Sequence, residues 1–258
     1  LLLAGGCLGL LGLADDFRSL GIATRIIIQF LCVLVTISSV GNLPSMSFGF
    51  GTIESRILLS AGLIGFGVWQ INFFNFMDGI DGLAASEALF VLLCLAWFSA
   101  IKGELFLALV CLLLLCAVLG FYVFNMPSAK IFMGDIGSNF LGYCLFFLGI
   151  LACVRQCLEY WTFFILMSTF LVDSSITLLG RLLGGGVWYH GHRTHAYQLL
   201  AVAWNSHFRV VLVYSAINVF WIAPLAIMSL RFETMAVYCA LLAWLPLAAA
   251  VIMIRRKL

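Results

Sequence analysis

Five aspartates carry the chemistry of this chain: Asp15 and Asp16 in "ADDFRSLG", Asp78 and Asp81 in "NFFNFMDGIDGLA", and Asp135 in "IFMGDIGS". Asn72 and Asn75 precede the middle pair, and glycines interrupt the second and third stretches. Carboxylate and amide oxygens of this kind suit a hard cation. Magnesium fits better than zinc, because it takes few carboxylates, keeps waters and shares substrate phosphates; manganese accepts the same oxygens. Arg25, Lys130, His192, Arg193 and His195 are basic companions suited to anionic phosphates. At about 5 Å and an effective dielectric of ~20, a carboxylate and a phosphate repel by roughly 3 kcal/mol. Several carboxylates therefore hold a diphosphate only with a divalent ion between them. The chemistry implied is metal-assisted phosphoryl transfer, in which positioning and charge neutralisation supply most of the catalysis.

Each motif also has a plainer reading, since aspartate caps helices and glycine ends them. That reading does not account for five aspartates gathered on one face of a membrane, as the span count below requires. "HGHRTH" invites a zinc site, but no cysteine pair or H-E-x-x-H pattern accompanies it. On a helix His192 and His195 would share a face at i, i+3, and phosphate or nucleotide contact is the expectation for His192, Arg193 and His195. Gly184, Gly185 and Gly186 either let this loop fold back over the site or simply stop the preceding helix, and His190 and His207 are assigned no role. The nine cysteines contain no C-x-x-C pair and read as small helix residues.

The elements that position these motifs are membrane helices. The chain is 64% hydrophobic and 9% charged, with mean hydropathy +1.17, against about 25% charged residues in a soluble domain. Its formal net charge of +2 carries no signal for nucleic acid, and none is expected as a partner. Continuous apolar runs near 24–41, 57–75, 83–101, 105–124, 138–154, 161–180, 209–230 and 234–254 each approach the ~20 residues of a membrane helix, and their lack of alternation disfavours a barrel. Residues 1–14 form a partial first span, about 21 Å of helix, and N-terminal spans are expected to precede it; no basic n-region or A-x-A site marks a signal peptide. The expectation is an all-α polytopic transmembrane bundle of about nine spans, a single domain over 1–258.

Two spans separate each motif from the next, so all of them fall on one face. The other face keeps short connectors around Glu54–Arg56, Lys102–Glu104, Arg155–Glu159 and Arg231–Glu233. The 13 Lys and Arg divide nine to four in favour of the motif face, which the positive-inside rule makes cytoplasmic. Asp173 is the exception: it lies within the 161–180 span. Pairing with Arg181, two turns on, is one solution; the expectation is a bent helix that brings Asp173 to the cytosolic cavity, with Ser174, Ser175 and Thr177 adding local polarity.

"LADDFRSLG", "NFFNFMDGIDGLA", "IFMGDIGSNFLG" and "HRTHAYQ", in that order with paired spans between them, resemble the polyprenyl-phosphate N-acetylhexosamine-1-phosphate transferases. That family includes the phospho-MurNAc-pentapeptide translocase of peptidoglycan synthesis, and "HRTHAYQ" is most similar to the O-antigen or capsule branch. The resemblance covers essentially the whole chain. It implies transfer of an amino-sugar 1-phosphate from a UDP-N-acetylhexosamine to undecaprenyl phosphate, with magnesium and release of UMP, at the cytosolic face of a bacterial inner membrane. By motif, it makes Asp135 the leading metal ligand with Asn75 as partner. Asp15 and Asp16 would lie near the lipid phosphate, Asp15 orienting or deprotonating the attacking oxygen. Asp78 and Asp81 would hold the metal's surroundings or the uridine diphosphate, and Arg25 stands near where the family tends to carry a basic residue after the aspartate pair; Asn72 and Lys130 are assigned to substrate contact from their own chemistry. The glycine-rich approach to the histidine loop departs from the charged one common in the family.

A membrane transporter with an acidic intramembrane site is the alternative class, although no two related halves are visible. The sequence selects neither the amino sugar nor an oligomeric state, and a homodimer is compatible with it.

Overall fold

The computed structural model describes residues 2–18, 20–183 and 194–258. Among them, helices α1 (Leu2–Phe17), α2 (Ile22–Ser39), α3 (Arg56–Phe76), α4 (Leu83–Ile101), α5 (Leu105–Asn125) and α6 (Gly134–Val154) are followed by α7 (Tyr160–Leu166), α8 (Ser168–Leu183) and α9 (Ala196–Trp204). A further span joins α10 (His207–Ile217) to α11 (Ala223–Arg231) through a π-turn at Asn218–Ile222, and α12 (Ala236–Lys257) closes the chain. Among the described residues seven helical segments are long and apolar enough to cross a membrane; the pair α7–α8, bent by 78°, makes an eighth if it is one span. With the shorter α1 in front, the all-α polytopic bundle expected from hydropathy is the fold. The protein is a multi-pass membrane protein.

Burial sorts the helices. In α6, 72% of the membrane-length window is enclosed, whereas the more apolar α5 is 22% enclosed and faces outward. Lipid gives helices no hydrophobic reason to associate, so close packing across small residues must hold them. Gly12 shows this: a Cβ there would run into the backbone of Asp135 and Ile136, so α1 lies directly on the first turn of α6.

Two features depart from the sequence expectation. The 42–56 connection contains a two-stranded antiparallel hairpin, β1 (Met46–Ser47) and β2 (Thr52–Ile53). Trp161 of α7 donates its indole N–H to the Ser47 carbonyl, and Phe48 packs edge-on against its ring, which fixes the hairpin at the end away from the motifs. The long 181–208 connection also holds helix: α8 continues to Leu183 and α9 follows.

The span does bend, at Met167, six residues before Asp173, but the bend does not open Asp173 to a cavity, because α9 covers it. Asp173 is 1% exposed and accepts hydrogen bonds from Ala196 and Tyr197 N–H. Arg181 is not its partner; the guanidinium donates to Thr194 Oγ1. Eight residues along a helix is about 12 Å, too far for that pair.

Candidate active site

Three of the motifs meet through one arginine. Asp15, at the end of α1, accepts from Leu20 N–H and from Arg25 Nη1, both at 2.7 Å. The same Arg25 nitrogen is 4.0 Å from Asp135 Oδ2, and the other Asp135 oxygen accepts from Asn75 Nδ2 at 2.9 Å. Asn75, the last residue but one of α3, also donates to Ser138 Oγ at 2.8 Å. Residues 15, 25, 75 and 135 therefore form a continuous chain across the mouths of α1, α2, α3 and α6. The Asp15 side chain is 9% exposed and that of Asp135 is 33% exposed, so the cluster is sealed at one end and open at the other.

Asp78 follows Asn75 by one turn of chain. Burial, and then the nearby charge of Asp135, push its carboxyl up to about 8. Asp16 is exposed, and its carboxylate stands beside Gly134. Asn72 lies one turn deeper and donates to Gln29 Oε1 at 2.7 Å; Gln29 in turn donates to Asn139, whose amide binds the Asp135 carbonyl. Lys130 is exposed and has no ion pair among the described residues.

Asp81 turns away from this cluster. It accepts from Ala129 N–H at 3.1 Å and lies 3.3 Å from His207 Nδ1, thereby tying the 77–82 loop to the 126–133 connector and to the start of α10. His207, given no role from sequence, is thus part of this tie. A turn at 77–82 sends carboxylates three residues apart in different directions, whereas a helix would have stacked them.

His195 is the N-cap of α9, with extended φ −68° and ψ 148°. It precedes the helix, so the helical face expected to unite His192 with His195 does not exist at His195. His192 and Arg193 themselves, with Gly184–Gly186 and His190, lie outside the described residues. His195 is 6% exposed and packs against Phe76, next in chain to Asn75.

Sequence reasoning missed Gln29, Ser138 and Asn139, which brace Asp135 and Asn75 from behind. A lone glutamine in "IIIQFL" was the available signal, because a polar side chain at membrane depth needs a partner. Glu87, 1% exposed within α4, was missed for the same reason: its partners Thr169 and Asn218 are far away in sequence.

Among the described residues, no three His, Cys, Asp or Glu side chains form a metal-ligating group. The donor set still fits magnesium, which needs only one or two carboxylates and keeps waters. Among the described residues Asp135 Oδ2 and Asn75 Oδ1 receive no hydrogen-bond donor, and Arg25 is the cation within 4.0 Å of both the Asp15 and Asp135 carboxylates.

A helical bundle with an acidic, amide-braced centre at one end defines a polytopic membrane protein with a polar site at its mouth. The chain belongs to glycosyl transferase family 4, whose family model matches residues 1–153. It is 28% identical over 183 residues to the phospho-N-acetylmuramoyl-pentapeptide-transferase of Streptococcus thermophilus, covering 66% of this chain and 52% of that protein. It is 30% identical over 234 residues to the protein of the same name in a Geobacillus species, covering 81% of this chain and 68% of that protein. Against the probable undecaprenyl-phosphate N-acetylglucosaminyl 1-phosphate transferase of Bacillus subtilis it is 27% identical over 208 residues, covering 79% of this chain and 58% of that protein. The chain spans about half the length of the first of these relatives.

Proposed function

We propose that the protein transfers an N-acetylated amino-sugar 1-phosphate from a UDP-sugar to polyprenyl phosphate, releasing UMP and starting a lipid-linked glycan. The observation that carries this reading is the joining of Asp15, Arg25, Asn75 and Asp135 at one end of the bundle. The names of the relatives support it: the Bacillus subtilis protein is named for undecaprenyl phosphate and N-acetylglucosaminyl 1-phosphate, and the other two for transfer of phospho-N-acetylmuramoyl-pentapeptide. O-antigen or capsule synthesis is the pathway class the "HRTHAYQ" stretch favours.

In this reading Arg25 receives the phosphate charge that Asp15 and Asp135 would otherwise repel. Asp15, fixed by Arg25 and by Leu20 N–H, orients the attacking lipid phosphate. That phosphate is mostly ionised near neutral pH, its second pKa being about 6, so direct attack needs no strong base. The attacking oxygen forms a bond to the sugar-bearing phosphorus while the bridging P–O bond of the diphosphate breaks, and the electron pair leaves on UMP. Asp135 and Asn75 would hold magnesium, or manganese; when bound, the ion neutralises the diphosphate. In this reading Asp78, Asn72 and His195 serve the nucleotide sugar, the exposed Lys130 is a further phosphate contact, and Asp16 stands beside Gly134. The excess of Lys and Arg at this end supports a site on the cytosolic side of a bacterial inner membrane.

The test mixes purified protein, a panel of UDP-N-acetylhexosamines, undecaprenyl phosphate and magnesium, and follows UMP. Metal-dependent UMP release together with a lipid-linked sugar is expected. Uptake of a solute into vesicles without UMP would instead favour the transporter class.

A further inference from the structure

Asp173 is a buried acid held by donors from three elements. Its Oδ1 accepts from Ala196 N–H at 3.0 Å and from the Thr177 hydroxyl at 3.2 Å; its Oδ2 accepts from Tyr197 N–H at 3.2 Å and from the Tyr214 hydroxyl at 2.8 Å. Ala196 and Tyr197 are the first two residues of α9, whose N–H groups have no intrahelical partner. The positive end of a helix favours a carboxylate there, and an acid this deep requires such donors.

The seated helix reaches the candidate active site. The Tyr197 hydroxyl donates to the Phe76 carbonyl at 2.8 Å, one residue after Asn75. The 77–82 loop rests on the same tyrosine: a Cβ at Gly79 would collide with its hydroxyl. His195, the residue before α9, packs on the Phe76 ring.

A second buried group fixes where Asp173 stands. Thr169, Asp173 and Thr177 recur every four residues on α8, and Tyr214 and Asn218 have the same spacing on the α10 span. Thr169 Oγ1 and Asn218 Nδ2 both donate to Glu87 of α4, while Tyr214 donates to Asp173. Glu87 thereby pins α8 one turn before Asp173, just past the bend.

We propose that Asp173 is a positioning residue that seats the α9 N-terminus, so that Tyr197 and His195 hold the 76–79 backbone in place beside Asn75, with the Glu87–Thr169–Asn218 knot setting its register. It touches no reacting atom. Its kinetic consequence rests on the transferase reading; its structural consequence does not.

The experiment uses the whole chain in detergent with two readouts: amide hydrogen exchange, and steady-state kinetics of UMP release with both substrates varied. Asp173→Asn turns one of the two acceptor oxygens into a donor, which in either amide orientation faces a backbone N–H of α9. Exchange across 196–204 should rise by about tenfold or more while that of 105–125 is unchanged. The KM for the UDP-sugar should rise by about tenfold, with the KM for lipid phosphate within about twofold. Tyr197→Phe should leave α9 protected yet raise the same KM, and the double variant should be no worse than Asp173→Asn alone, because both act through one contact.

Unchanged α9 exchange in Asp173→Asn, a loss of thermal stability with neither KM moved, or independent multiplication of the two effects would each overturn the proposal. Should Asp173→Asn not fold, Tyr214→Phe, which removes one donor from the carboxylate, takes its place with the same expected pattern and the same overturning results. A wild-type chain that releases no UMP defeats the transferase reading, and exchange alone then upholds or overturns the seat of α9.

Discussion

Asp135 accepts from Asn75 through one oxygen and leaves the other toward Arg25. Replacing Asp135 with Asn should therefore lower turnover by about a hundredfold or more, a loss typical of removing a preorganised charged group, with helical content and melting near those of the parent. Full activity in that variant would reject its assignment to the metal. Asp78 yields a prediction of opposite sign for stability. Its folded carboxyl is raised to about 8 from an ordinary value of 3.8. The native state therefore holds a proton that the unfolded chain releases. Stability from this group is complete below the unfolded value, falls as pH rises between the two, and is lost above about 8. Asp78→Asn should thus stabilise the metal-free protein by about 1–3 kcal/mol above pH 8, discounted from the full linkage value for partial solvation, and by little near pH 4. Thermal melts across that range check it, and an equal offset at all pH values would contradict it. The residue types in the site were legible from sequence, because acids and amides stand out in an apolar chain. The parting of Asp81 from Asp78 was not, since it depends on a turn whose partners are Ala129 and His207.

Among the elements, α1 and α6 set the distance between the first and third aspartate motifs. Gly12 permits their contact, because a methyl group there meets the Asp135 and Ile136 backbone. Gly12→Ala should cost about 1–3 kcal/mol of stability and reduce UMP release more than a substitution at Gly9, where a Cβ meets nothing within 4 Å. Equal behaviour of the two alanine variants would show that α1 does not bear on the site. The single acid in an apolar run signalled a polar partner inside the bundle, but not the bend itself, since Glu87 is equally buried in the unbroken α4. What holds Asp173 was not readable: two of its donors are backbone N–H groups of α9, which every sequence possesses at every position except proline.

Across the whole molecule, the ends of α1, α3, α5 and α8 and the starts of α2, α4, α6, α9 and α10 meet at one pole, and the hairpin sits at the other. Single cysteines introduced at Lys130 and at Lys102, in a background freed of native cysteines, should react with an impermeant thiol reagent from opposite sides of the membrane. Labelling of both from one side would dismantle this topology and the site with it. Run length and charge placement determined the spans and their alternation, because a bilayer demands about 20 apolar residues per crossing wherever the chain goes. Only the tertiary structure decided which acids share Arg25, which one ties loops together and which one seats a helix. Those outcomes rest on contacts between residues tens to more than a hundred positions apart, several made to backbone groups, and no local pattern of side chains encodes such pairings.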